Sequence, residues 1–179
     1  VYRSMKLHLG CGKRDFGDGW IHVDMADFDH IESKDVTRLP YEDDSCDLIY
    51  ASHLLEYFDR IEVIEVLQGW KRVLKPSGVL RLAVPDFQKL CSLYTSGHSI
   101  ERVLGPLYGK WGTPPVYHRT TYDFSSLSNL LHSVGFKDIA RYDWRDTGHS
   151  HIDDHSQAYF PHMDKENGML ISLNVEAIK

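Results

Sequence analysis

With 179 residues, 42% hydrophobic and 26% charged, the chain suits one domain around a single core, and its composition is neither disordered nor membrane-spanning. A formal net charge of −6 without a run of Lys or Arg argues against nonspecific nucleic-acid binding, which needs clustered cations; a small-molecule or compact substrate is expected instead. Cys11, Cys46 and Cys91 include no CxxC pair, so a reducing, cytoplasmic setting is expected, without a disulfide framework or zinc knuckle.

Residues 1–4 precede Met5, the expected natural start, and are read as a loose terminus; no secretory signal or apolar run of membrane length follows. Residues 6–9 form a short apolar strand ending at Gly10, and 20–24 a second, alternating one ending on Asp24. Residues 35–39 are expected as a weak third strand closed by Pro40, and 46–51 as a fourth after the turn-rich YEDDS. Asp59 with Glu62 predicts a capping box. Val63, Leu67, Trp70 and Leu74 then recur at helical spacing, until Pro76-Ser77-Gly78 stops the helix. Residues 79–84 are a fifth strand, and Asp86 caps a helix through about Tyr94. Residues 96–121, with Gly97, Gly105, Gly109, Gly112 and Pro114-Pro115, read as a loop-rich insert within the one domain 1–179. Asp123 caps a helix over 124–134 that Gly135 ends. A sixth strand over 136–142, a His- and Asp-rich loop over 143–168 and a last strand over 170–178 complete the chain. This order implies an α/β, mostly parallel, doubly wound sheet with an antiparallel final hairpin.

In such a sheet ligands bind beyond the carboxyl ends of the strands. Gly10 and Gly12 follow the first strand, where glycine lets backbone approach a ligand closely. Asp24 ends the second, where a carboxylate can accept both hydroxyls of a ribose. Loop and acid together point to an adenosine-type ligand. A dinucleotide needs GxGxxG opening a helix that holds the pyrophosphate. Here the loop carries the anion Asp15, and 13–19 is too short and Gly-rich for that helix.

The stretches LHLGCGK (7–13), DVTRLPYEDDSCDLIYASHLLEYF (35–58) and WKRVLKPSGVLRLAVPDF (70–87) resemble, in order and spacing, the class I S-adenosylmethionine-dependent methyltransferases of the type 11 group. The resemblance implies a Rossmann-like seven-stranded fold and S-adenosyl-L-methionine as cofactor. By it, Gly10 and Gly12 would contact the donor's methionine part and Asp24 its ribose hydroxyls, with Leu9, Cys11 and Met25 also among the donor-binding residues. Asp35 and Val36 would meet the adenine, and Ser52 and His53 the methionine and methyl group. Two positions depart from the family: its usual first-strand acid is His8 here, and its third glycine is Arg14.

Methyl transfer from an activated sulfonium needs an aligned acceptor, and an oxygen or nitrogen acceptor can also need a base. His53 is the first candidate catalytic residue, with Glu56 placed to orient it. The sixth strand should run parallel to the first five, which puts the loop 143–168 over the ligand edge. Tyr142, Arg145, His149, His151, Asp153, Asp154 and Tyr159 are therefore substrate-side candidates, and Arg119, beside His118 and Tyr122, could bind an anionic group. The expected acceptor is a small molecule or glycan-type compound, with no metal. Two rival readings are a donor-binding protein without catalysis, motivated by His8 and Arg14, and a metal-dependent hydrolase using the cluster 149–155.

Overall fold

The computed structural model describes residues 4–179; residues 1–3 of the expected loose terminus lie outside the described residues. The strands are β1 (Lys6–Leu9), β2 (Trp20–Val23), β3 (Ile31–Ser33), β4 (Cys46–Ser52), β5 (Leu74–Pro85), β6 (Lys137–Arg141), β7 (Tyr159–Phe160), β8 (Met169–Leu170) and β9 (Ser172–Ile178). The α-helices are α1 (Glu62–Val73), α2 (Phe87–Thr95), α3 (Glu101–Tyr108) and α4 (Phe124–Val134). Seven strands make one sheet in the order β3-β2-β1-β4-β5-β9-β6, and β7 pairs only with β8. β9 runs antiparallel to β5 and β6, and the other pairs of the large sheet are parallel. This is the expected α/β sheet with an antiparallel end.

Three local expectations are corrected. The third strand is Ile31–Ser33, not 35–39. The Asp35 carboxylate accepts the Thr37 N–H at 2.8 Å and the Thr37 hydroxyl at 2.6 Å, which folds that segment into a turn. The insert 96–121 contains α3, held by packing of Val103 against Leu90 and Leu93 of α2. The capping box before α1 is half made: Asp59 accepts the N–H groups of Ile61 and Glu62, while the Glu62 side chain pairs with Arg119 at 3.3 Å.

Strand alternation sorts side chains onto two faces. Leu7, Leu9, Ile49, Leu80 and Leu82 share one core with Val63, Leu67 and Trp70 of α1 and Leu127 and Leu131 of α4. Fully burying each such side chain contributes about 1.5–3 kcal/mol. On α4 the expected caps are present: Asp123 and Ser126 form a reciprocal box, and Gly135 takes φ 92°. Asp123→Ala should therefore cost about 1 kcal/mol in urea denaturation.

On the other face His22, His8, Tyr50, Arg81 and Glu176 stand in register across β2, β1, β4, β5 and β9. Among the described residues no α-helix lies between β1 and β4 to cover this row. Loops cover it instead. Phe16 stacks on His8 at 4.0 Å, and His149 stacks on Phe16 at 4.7 Å. The Tyr50 hydroxyl donates to Asp154 at 2.6 Å, and Arg81 donates to Glu176 at 2.6 Å and to His149 Nε2 at 3.1 Å. Among the described residues no helix is long and apolar enough to cross a membrane.

Candidate active site

The chain leaves β1 through Gly10 at φ 66° and Gly12 at φ 55°, a left-handed region that side chains resist. A Cβ on Gly12 would meet nothing within 4 Å, so this backbone faces open space. The Asp24 carboxylate holds the loop: one oxygen accepts the Gly12 N–H at 2.7 Å, the other the Ala26 N–H at 2.8 Å. Each oxygen keeps lone-pair capacity for a further donor. Met25, next along, is 82% exposed beside the loop. Val36 packs on the core, and its carbonyl accepts the Trp70 indole N–H at 2.7 Å. The buried Ser52 hydroxyl at the end of β4 has no hydrogen-bond partner. Leu9 is fully buried in the core.

Cys11 is buried beside Gly12, where burial first and Asp24 second push its thiol up to about 12; burial likewise pushes Cys46 up to about 11. Neither forms thiolate at neutral pH, so neither is a nucleophile. Iodoacetamide at pH 7.5 should label exposed Cys91 and leave Cys11 and Cys46 unmodified, as read by mass spectrometry.

The departures from the family pattern have physical partners. His8 is a packing residue, buried under Phe16 from the glycine loop itself. Arg14 donates from Nε to the Asp153 carbonyl at 2.9 Å, which ties the loop to the 143–168 segment.

His53 follows β4 with φ 50°, a strained value for a residue with a side chain, and such strain gathers at functional sites. It opens onto a cavity of about 460 Å³ lined also by Tyr57, Pro106, Lys110, His118, His155, Ala158 and Ile171. Behind it lies Glu56, wholly buried, with its Oε1 3.6 Å from His53 Nδ1 and 3.8 Å from His118 Nε2. Neither distance is a hydrogen bond, and both carboxyl oxygens lack one. Burial raises Glu56 to about 8 and holds His53 and His118 below the usual imidazole range. A second cavity, about 470 Å³, opens at the starts of β1 and β2 beside Lys6 and Trp20, away from the carboxyl edge.

The eight substrate-side candidates lie elsewhere, and none lines the His53 cavity. Tyr142 sits beneath the Arg81 guanidinium, 5.5 Å from its ring. Arg145 stacks on Trp144 and donates to the Tyr159 hydroxyl at 3.2 Å. His149 and Asp154 belong to the roof over the sheet, and burial followed by Arg81 pushes His149 down to about 4. His151 is exposed, and Asp153 pairs with Lys165 at 2.7 Å. Arg119 reaches Glu62, while its backbone N–H donates to the Glu56 carbonyl. Most of these side chains are paired with the segment itself or with the sheet, so the segment reads as a cover over that face. Among the described residues no group of three His, Cys, Asp or Glu could hold a metal ion. Sequence reasoning passed over His118 and His155 as cavity residues. His118 was noticed only as a neighbour of Arg119, and no spacing links it to Glu56.

The family model described as a methyltransferase domain matches residues 20–82. No curated protein matches the sequence. Solved structures do. A SAM-dependent methyltransferase from Archaeoglobus fulgidus is 16% identical with TM-score 0.61, over 99% of this chain and 88% of that one. One from Mesorhizobium loti is 18% identical with TM-score 0.57, over 100% and 93%. One from Methanosarcina mazei is 14% identical with TM-score 0.61, again over 100% and 93%. At these identities the likeness is one of fold, and it extends over the whole sheet. The chain is thus similar over residues 20–82 to the methyltransferase domain family and over its whole length to the fold of these SAM-dependent methyltransferases.

Proposed function

We propose that the chain transfers a methyl group from S-adenosylmethionine to an oxygen or nitrogen of a small-molecule or glycan-type acceptor in the His53 cavity. The observation that carries this reading is the position of that cavity, which opens from the residue after β4 at the same carboxyl edge as the glycine loop.

The residues present fit the donor. Backbone at Gly12 faces open space, Asp24 has spare acceptor capacity, and the unpartnered Ser52 hydroxyl lies at the end of β4. Gly10, Cys11 and Gly12 would cradle the methionine part with Leu9 beneath, and Asp24 would take the ribose hydroxyls. Met25 and Val36 would flank the adenine. Asp35 could still meet its amino group, because only one carboxylate oxygen is engaged by Thr37. Bound there, the donor supplies an electrophilic methyl on a positively charged sulfur. The protein's part is to align the acceptor, exclude water and receive a proton. His53 and Glu56, the expected catalytic pair, stand together beside the cavity where that proton is handled.

Isothermal calorimetry with S-adenosylhomocysteine tests the reading. Saturable one-to-one binding is expected, and folded protein that gives no heat of binding overturns it. Methyl transfer is then sought with donor labelled in its methyl group, against alcohols, amines and sugars.

A further inference from the structure

The buried carboxyl of Glu56 has no partner, and its two nearest basic atoms are both imidazole nitrogens. The hydrogen bonds fix which ring nitrogens carry protons. Asn174 Nδ2 donates to the Ser156 carbonyl at 2.9 Å, which sets the orientation of that amide. Its Oδ1 then accepts the Ser172 hydroxyl at 2.8 Å, so the single Ser172 proton is used. His53 Nε2, 3.1 Å from the Ser172 oxygen, must therefore be the donor of that pair. Neutral His53 is left with a bare Nδ1 facing Glu56. His118 Nδ1 lies 3.1 Å from the Pro106 carbonyl, which can only accept, so it carries the proton and Nε2 is bare. Two bare nitrogens thus face one carboxyl oxygen. Ionised Glu56 would put lone pair against lone pair in a buried site; a protonated one puts a donor between them.

We propose that Glu56, His53 and His118 form a proton-sharing trio in which neutral Glu56 closes the 3.6 Å to donate to His53 Nδ1 and His118 Nε2 is the base for a neutral hydroxyl acceptor. This rests on the His53 cavity being the acceptor site. His53, with Nε2 committed to Ser172 and Nδ1 to Glu56, is a positioning residue; His118 keeps a free lone pair on the cavity wall. In the balanced step the acceptor oxygen forms the new O–C bond. The methyl's bond to sulfur breaks, its electron pair stays on sulfur, and the hydroxyl proton passes to His118 Nε2. The wall chemistry selects the acceptor class. Glu56 is neutral, so an ammonium group meets no counter-charge from it; Lys110 on the same wall can pair with a carboxylate, but that group needs no base. A hydroxyl needs one base and no counter-ion.

The titratable groups around Glu56 are His53, His118, Tyr57 and Tyr122, and its ionisation raises both tyrosines after burial has done so; His155, 5.2 Å from the His53 ring, lowers both imidazoles after burial. The folded chain holds a proton that unfolded Glu56 releases above its ordinary range. Stability from this group is thus complete at low pH and is lost as pH rises toward about 8.

Histidine ring NMR on the nitrogen-15-labelled full chain at pH 7 tests the trio. His118 is expected as the Nδ1–H tautomer and His53 as the Nε2–H tautomer, with the Glu56 carboxyl carbon at its protonated shift at pH 6. The opposite His118 tautomer, or ionised Glu56 at pH 6, overturns the proposal. Glu56→Gln keeps a donor toward His53, so its melting temperature should gain on the parent by roughly 5 °C or more between pH 5 and 8.5. A gap constant with pH overturns it too. Benzyl alcohol, benzoate and benzylammonium probe the acceptor class: the alcohol should move the His118 ring signals most, and a larger shift from either ion overturns the hydroxyl assignment. Calorimetry with S-adenosylhomocysteine reads the donor site separately, so its failure and that of the trio are told apart.

Discussion

Alanine in place of Asp24 is expected to weaken S-adenosylhomocysteine binding by about 100-fold or more. Its two carboxylate oxygens accept the Gly12 and Ala26 N–H groups, so removal frees the loop as well as deleting the ribose acceptor. Hydrogen bonds to a charged group contribute about 1.5–3 kcal/mol each, and every 1.4 kcal/mol is tenfold in affinity. Asp24→Asn separates the two effects, since one oxygen remains to hold a loop N–H; an intermediate loss of about tenfold is expected. Titration calorimetry beside circular dichroism checks both variants. Wild-type affinity in folded Asp24→Ala would remove the donor site from this loop.

Trp70→Ala is expected to cost about 3–5 kcal/mol of stability, the largest effect foreseen for a single side chain here. Trp70 is fully buried in the main core, and its indole N–H donates to the Val36 carbonyl at 2.7 Å. The change opens a cavity under β4 and β5 and leaves a carbonyl unpaired. In a chain of 179 residues that corresponds to a fall in melting temperature of roughly 10 °C. Trp70→Phe keeps most of the ring and loses the hydrogen bond, so a cost of about 1–3 kcal/mol is expected. Because Val36 flanks the proposed adenine site, Trp70→Phe should also weaken S-adenosylhomocysteine binding severalfold. Stability loss with unchanged binding would place the adenine elsewhere.

The fold was legible where one physical signal dominated. Helical spacing of Val63, Leu67 and Trp70 marked α1, and Asp123 with Gly135 marked both ends of α4. The antiparallel end followed from two strands with no helix between them. β3 escaped because it is three residues of an edge strand, too short for alternation to register. α3 escaped because Gly105 and Pro106 are poor helix residues, and its packing on α2 decides its fate. Of the candidate site, the pairing of Gly12 with Asp24 was legible because turn and carboxylate lie within fifteen residues. The cavity wall was not. Glu56 and His118 come together from 62 residues apart by way of the Pro106 carbonyl and the bend after α3, neither of which leaves a periodic trace. The dense 143–168 residues drew attention for their chemistry, but partners from their own loop and from the sheet satisfy most of them.

The tie between Arg14 and the Asp153 carbonyl spans 139 positions, and the stack of Phe16 on His149 lies beside it. A ribosome making this chain emits the donor loop long before the partners that brace it. The bracing contacts close only once residues 149–153 lie over the sheet, so the loop depends on partners distant along the chain. Contacts of that span make folding slow. They also tie the state of the glycine loop to a segment far along the chain.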